Sequence, residues 1–211
     1  MTTTTASDPR FLVLHALRVK GLASEELVAA ICGLPAGDVA AQLAALAEER
    51  LIVRREGHLA GSTLTAAGRD AHAELLEGDV ADPARRSALA AAYEAFLPVN
   101  GEFKRVCTDW QVRSDTGRPN DHTDRAYDDG VVARLGRIHD RITVVLKDLA
   151  AVVGRFGAYL GRLENALERV RGGDVTAFAR PLADSYHDIW MELHQDLLLS
   201  LRKERDAKDE G

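Results

Sequence analysis

Punctuation within the first 50 residues constrains this chain most, because glycine and proline cut its apolar periodicity into three short stretches. Asp8-Pro9 opens the first stretch, since aspartate caps a helix and proline suits its first turn. Phe11, Leu14 and Leu17 recur at three-residue spacing, and Gly21 ends the run. Ser24 caps the second stretch, with Glu25 and Glu26 in its first turn and Val28 and Ile31 on its apolar side. Gly33-Leu34-Pro35 breaks the chain again. The third stretch begins near Asp38 and places Val39, Leu43 and Leu46 on one face. Helices this short are not stable alone, so the three must bury their faces against one another.

A β-branched run, Leu51-Ile52-Val53-Arg54-Arg55, follows. Glu56-Gly57-His58 reads as a turn, and Leu59 to Leu64 returns as a second strand. Thr65 then caps a helix from Ala66 to Leu76. Three helices with a marked turn before the third, followed by a hairpin, predict a winged helix-turn-helix over residues 9–76. The segment ERLIVRREGHLAGSTLTAAGRDA resembles the wing and following helix of MarR-type regulators, whose pattern ends in a Leu-Thr-x-x-Gly step. Here that step is Leu64-Thr65-Ala66-Ala67-Gly68. The resemblance implies a DNA-binding regulator.

The surface chemistry pulls the other way. A helix that reads bases should point Arg, Lys, Asn, Gln or Ser outward. On the third helix the outward positions are Ala36, Gly37, Ala40, Ala41, Gln42, Ala44, Ala45, Glu48 and Glu49. Only Gln42 offers a paired contact, and no cation precedes Arg50. The expected DNA contacts therefore lie mostly on the wing: Arg54, Arg55 and His58 near its tip, and Ser62 and Thr63 on the return strand. Residues 1–76 carry seven Lys and Arg against nine Asp and Glu, and the remainder twenty against twenty-four. Neither half is basic, so a winged helix used for dimerisation or protein contact stays open beside one that binds duplex DNA.

Beyond a polar connector at 77–83, the pattern is helical throughout, so the fold class is mainly α: a winged helix-turn-helix followed by an all-helical bundle over 84–205. Leu89, Ala92, Tyr93 and Phe96 form one stripe, Pro98 is expected to kink or break it, and Phe103, Val106 and Trp110 continue beyond. Residues 112–123 lack periodicity and read as a loop. Apolar residues at 131, 135, 138, 142, 145, 149 and 152 then alternate four-three spacing, the seam of a bundle. Gly154, Gly157 and Gly161 predict a break before Leu160, Leu163, Leu167 and Val170. Asp174 is expected to cap a last helix running to about Arg205, with a frayed tail over 206–211 and a disordered leader over 1–8.

That last helix places Leu182, Tyr186, Ile189, Leu193 and Leu197 on one face and His187, Trp190, Met191, His194 and Leu198 on the next. Asp184, Asp188, Glu192 and Gln195 lie opposite and should be solvated. A helix apolar over more than half its circumference is buried on two sides, lines a cavity, or forms a dimer interface. His187 and His194 sit roughly 10 Å apart along it, too far to share one ion, so no metal is expected. They are either hydrogen-bonded core histidines or groups that meet a ligand. A second cluster joins Trp110, Gln111 and Arg113 at a helix end with Asn120, Asp121 and His122 on the loop. Arg113 and His122 suit a carboxylate or phosphate, while Asn120 alternatively makes a local turn and Thr123 or Asp124 caps the next helix.

The stretches CTDWQVR, NDHTD and DSYHDIWMELHQDLL resemble a C-terminal module of actinobacterial proteins. In those it follows a MarR-like winged helix, either free-standing or attached to PEP-utilising, pyruvate-phosphate-dikinase-like enzymes. The resemblance implies that Trp110, His122, His187, Trp190 and His194 share a site or interface. The chain has no phosphate-cradling glycine loop, no Gly-x-Ser-x-Gly and no His-Glu-x-x-His. No catalytic residue and no cofactor are therefore expected.

No run approaches about 18 apolar residues, which predicts no membrane span. Met1-Thr-Thr-Thr-Thr-Ala-Ser7 is neither basic nor apolar, so no secretory signal is expected. Cys32 and Cys107 sit in apolar contexts and read as small buried hydrophobes of a cytoplasmic protein. Together these readings predict a homodimeric, ligand-responsive transcriptional regulator that binds double-stranded DNA and a small anionic or aromatic ligand. The alternative is a non-DNA-binding accessory module of a PEP-utilising phosphotransferase.

Overall fold

The computed structural model describes residues 7–57, 60–181 and 184–203. Most of the expected leader, His58, Leu59, Leu182, and the tail over 206–211 lie outside the described residues. Among those described, the chain is mainly helical, with nine α-helices, one 3-10 turn and a single two-stranded sheet. It divides into two units. One comprises residues up to Ala88 together with Ala150–Ala158, and the other Leu89–Leu149 together with the residues from Tyr159 onward.

In the first unit, α1 (Pro9–Lys20) begins where Asp8 accepts a hydrogen bond from the Arg10 amide at 2.9 Å. Asp8 is thus a cap, not part of a disordered leader. Gly21 ends the helix at φ 87°, and Ser24 caps α2 (Glu25–Cys32). α3 (Ala36–Glu48) follows Pro35. Val13, Leu14, Leu17, Val28, Val39, Leu43 and Leu46 form the shared core, each no more than 1% exposed. Burying one such side chain is worth about 1.5–3 kcal/mol, which these short helices need in order to persist.

β1 (Ile52–Arg55) pairs antiparallel with β2 (Gly61–Leu64), setting Ile52 opposite Leu64 and Arg55 opposite Gly61. Ala23, just before α2, adds a bridge to Ser62, exchanging N–H···O bonds of 2.8 and 3.2 Å. Thr65 caps α4 (Ala66–Asp79) by accepting from the Gly68 amide at 3.0 Å, while its hydroxyl donates to the carbonyls of Arg50 and Leu51. The Leu64–Gly68 step has a steric cause. A Cβ on Gly68 would lie 2.0 Å from the Leu51 carbonyl oxygen, so only glycine lets α4 approach the start of the hairpin.

The segment between the next two long helices completes this unit. α6 (Arg125–Ala150) gives way to a 3-10 turn, Gly154–Phe156, and α7 (Gly157–Arg171) starts directly after it. The break is where Gly154 and Gly157 predict it, whereas Gly161 lies within α7. Phe156 is fully buried, and Arg155 pairs with Asp79 and stacks over Phe156 at 4.8 Å. Arg85 reaches the same carboxylate at 2.9 Å.

The second unit holds most of α5 (Pro83–Gln111), with α6, α7, the short α8 (Thr176–Ala179) and α9 (Tyr186–Leu201). α5 runs unbroken through Pro98, so of the expected kink or break the break does not occur. Pro98 is exposed, while Phe96, Val99 and Phe103 on either side of it are buried. Their burial offsets a proline cost of about 3 kcal/mol. The seam of α6 is buried at Val131, Leu135, Ile138, Ile142 and Leu149, with Leu146 more deeply buried than Val145.

Two expectations for the chain after residue 173 are corrected. Asp174 binds the Thr176 amide and hydroxyl and so starts α8, not the last helix. That last helix, α9, is capped by Ser185 and ends at Leu201. Its expected solvated face is not uniformly so either: Glu192 is 4% exposed, while Asp184, Asp188 and Gln195 are half-buried, and Asp196 beside them is 1% exposed. Arg162 of α7 donates to Glu192 at 2.6 Å and also to Asp184, while Tyr159 donates to Asp196 at 3.2 Å. On its other sides, Trp190 donates to Asn100 of α5 at 2.9 Å, and Tyr186 lies 3.3 Å from His139 of α6. α9 is enclosed by three helices.

No single helix among the described residues is long and apolar enough to cross a membrane.

Candidate functional site

The loop after α5 folds back on itself, and that return builds the site. Val112 bridges to Pro119, Arg113 donates its amide to the Arg118 carbonyl at 2.8 Å, and Asn120 donates its amide to the Gln111 carbonyl at 2.8 Å. Arg113 pins the turn by pairing with Asp115 at 2.7 Å and Asp124 at 2.9 Å, with its guanidinium 4.4 Å over the Tyr127 ring. These hydrogen bonds, Asp115 first, raise the Arg113 pKa and hold both carboxylates below their ordinary values. Arg113 is therefore a structural clamp and lines neither cavity described below. Asp121 likewise closes a local turn by accepting from the Thr123 hydroxyl and amide. Those two bonds, the hydroxyl's first, lower its pKa.

The return sets Asn120 and His122 beside Trp110. The ring centroids of Trp110 and His122 are 4.4 Å apart, and the indole also stacks on Phe178 of α8 at 4.3 Å and 6°. Asn120 donates to the Trp110 carbonyl at 3.1 Å and to Asp128 Oδ1 at 2.8 Å. Asp128 Oδ2 lies 3.0 Å from His122 Nδ1. A carboxylate only accepts, so Nδ1 carries a proton toward it, and in the neutral imidazole Nε2 is left as an acceptor. His122 holds this pose at φ 58°, a left-handed backbone that costs a non-glycine residue on the order of 1 kcal/mol. The bonds to Asn120 and Asp128 over-determine it.

Two depressions open along this pair. One, of about 380 Å³, lies among Trp110, His122, the start of α6 at Arg125, Asp128 and Asp129, and the end of α7 at Arg171. The other, of about 430 Å³, adds Gln111, Asn120, Thr176 and Arg180 to the same indole and imidazole. Both fall in the range of small-molecule sites. Arg125, Arg171 and Arg180 are exposed and form no ion pair among the described residues. The Arg171 guanidinium lies against Gly136, where a Cβ would come within 2.9 Å of it. Nothing in local spacing marks these arginines, because Arg125 starts α6, Arg171 ends α7 and Arg180 follows α8.

The expected residues of α9 go elsewhere. Trp190 is fully buried between Phe96 at 5.2 Å and Phe103 at 4.3 Å, and His194 packs on Phe96 at 5.0 Å. Tyr186 is buried, and that burial raises its pKa. His187 is half-buried on Phe103, and desolvation lowers its pKa. None of the four lines either depression. Trp110 and His122 meet; Tyr186, His187, Trp190 and His194 form core instead. Among the described residues, no three His, Cys, Asp or Glu side chains gather in a metal-holding arrangement.

On the first unit, Arg50 and Arg55 are exposed, and Arg54 is shared with Glu25 at 3.2 Å. Gln42 and Thr63 are half-buried. Ser62 is 4% exposed and faces the core side of the hairpin, so the expectation that it meets DNA is corrected. His58 lies outside the described residues. The outer face of α3 carries exposed Ala41, Ala44, Ala45, Glu48 and Glu49, with Glu49 bound by Arg10 at 2.6 and 2.7 Å.

Comparison of the chain with protein-family models, curated protein sequences and solved structures returned no match.

Proposed function

We propose that this protein is a ligand-responsive regulator, in which the helical unit receives a small anionic ligand beside Trp110 and His122. The observation that carries this reading is the pair of depressions there. They join an indole edge, a histidine held by Asp128, and arginines without ion partners among the described residues. Arginine guanidinium suits carboxylate or phosphate, and Nε2 of His122 suits a hydroxyl or amine donor on the same molecule.

The first unit supplies the output as a winged helix-turn-helix. Three packed helices, a hairpin bridged to Ala23 and the close Gly68 contact support that reading. Duplex DNA would be gripped at Arg50, Arg54 and Arg55, with Gln42 the base-reading candidate. A homodimer would set two such units on half-sites about 34 Å apart.

One observation favours a second reading. The exposed alanines and glutamates of α3, with Arg54 drawn to Glu25, suit a protein surface better than a polyanion. In that reading the chain is an accessory module of a PEP-utilising phosphotransferase.

Two measurements test these readings. Titration with benzoate should quench the Trp110 part of the fluorescence, and His122→Ala or Arg171→Gln should weaken binding about tenfold. Selection of genomic fragments at near-physiological salt should return a paired half-site motif. No quenching removes the ligand site, and fragments without sequence preference turn the first unit toward the protein-contact reading.

A further inference from the structure

The two depressions share Trp110, His122 and Val175 and differ in everything else that surrounds them. Each has its own arginines. In the first, Arg125 and Arg171 line the depression together with two carboxylates, Asp129 and Asp128, the second of them hydrogen-bonded by Asn120 and His122. In the second, Arg180 stands among neutral groups, Gln111, Asn120 and Thr176, with no carboxylate in the lining. Between the ends runs a partly apolar divide made by the edge of the indole, the imidazole tilted 40° to it, and Val175, which is 44% exposed. Val175 is among the few large apolar side chains the protein leaves uncovered. A ligand with a single charge would satisfy one end and leave the other guanidinium in water.

Resting on the reading that this is a ligand site, we propose that the two depressions act as one bipartite site. Its ligand class is an extended dianion: two acidic groups, carboxylate or phosphate, joined by a flat unsaturated middle. One acid pairs with Arg125 and Arg171, the other with Arg180 and the Gln111 side-chain amide, and the middle lies along His122, Val175 and the edge of Trp110. Simultaneous engagement makes the second contact intramolecular, so affinity rises beyond that of either half.

Calorimetry on the full chain tests this with three probes: benzoate, benzene-1,4-dicarboxylate and biphenyl-4,4′-dicarboxylate. At least one diacid is expected to bind ten times tighter than benzoate or more. Arg171→Gln and Arg180→Gln, both at exposed positions, should each bring that diacid back to the benzoate level with the helical circular dichroism unchanged. If benzoate binds and neither diacid binds tighter, the bipartite inference is overturned and the single-anion site stands. A diacid advantage that survives Arg180→Gln overturns it equally. If none of the three probes binds, the ligand-site reading falls, and this inference with it.

Discussion

α3 and α9 carry comparable numbers of apolar residues per turn, yet the two helices sit in opposite environments. α3 buries a single stripe, Val39, Leu43 and Leu46, and leaves alanines and glutamates to solvent. α9 has almost no outer face. Its acids Glu192 and Asp196 are as deeply buried as its leucines, because Arg162 and Tyr159 of α7 meet them. Polar residues at four-residue spacing therefore mark a solvated face only when no complementary group lies across from them. In the first unit the fold is set by apolar stripes and backbone closeness; in the second, much of the specificity rests on paired polar groups inside.

The sharpest way to break this contrast is to remove one partner from α9. Arg162→Met removes the guanidinium that donates to both Glu192 and Asp184 and should destabilise the protein by about 3–5 kcal/mol. Adding Glu192→Leu should recover most of that loss, since a well-packed apolar pair often matches a buried ion pair. Urea unfolding followed by tryptophan fluorescence reads the effect directly, because Trp110 and Trp190 both belong to the second unit. A single variant as stable as the parent would mean that Glu192 is not held by Arg162.

In the first unit the corresponding lever is steric. Gly68→Ala drives a methyl into the Leu51 carbonyl and should cost about 2–3 kcal/mol, measured by circular dichroism in urea. Thr65→Ala, which removes the neighbouring cap, should cost about 1 kcal/mol. If Gly68→Ala proved neutral, the close approach of α4 to the hairpin would not be what selects glycine there.

The same contrast explains what was legible in the sequence. Gly21, Gly33 and Thr65 act within a few residues of themselves, so the helices and hairpin of the first unit could be placed from spacing alone. Trp110 and His122 were also legible as neighbours, since one loop returns the second to the first. Arg113 was misread as a ligand group although its clamp, Asp115, is only two residues away. The burial of Glu192 was missed because it depends on Arg162, brought from another helix, and the place of Arg125, Arg171 and Arg180 in the depressions was missed because each stands on a different element. Tertiary pairing leaves no period in the sequence.

The smallest effect sharpens the comparison at the edge of α9, where His187 is half-buried on Phe103. Desolvation lowers its pKa, and Asp188 opposes this only in part. The folded imidazole thus binds its proton less readily than the unfolded one, whose pKa is about 6.5. Below that value the unfolded chain takes up protons that the folded protein refuses, so this contribution to stability is present above about pH 6.5 and is lost as pH falls through the folded pKa. Its slope stays below about 1.4 kcal/mol per pH unit, the limit for one proton. His187→Gln should flatten the stability profile between about pH 6.5 and 5 relative to the parent, with little change at pH 8. Identical slopes for the two proteins would show that His187 is as well solvated folded as unfolded, and would move it from the buried side of α9 to the wet one.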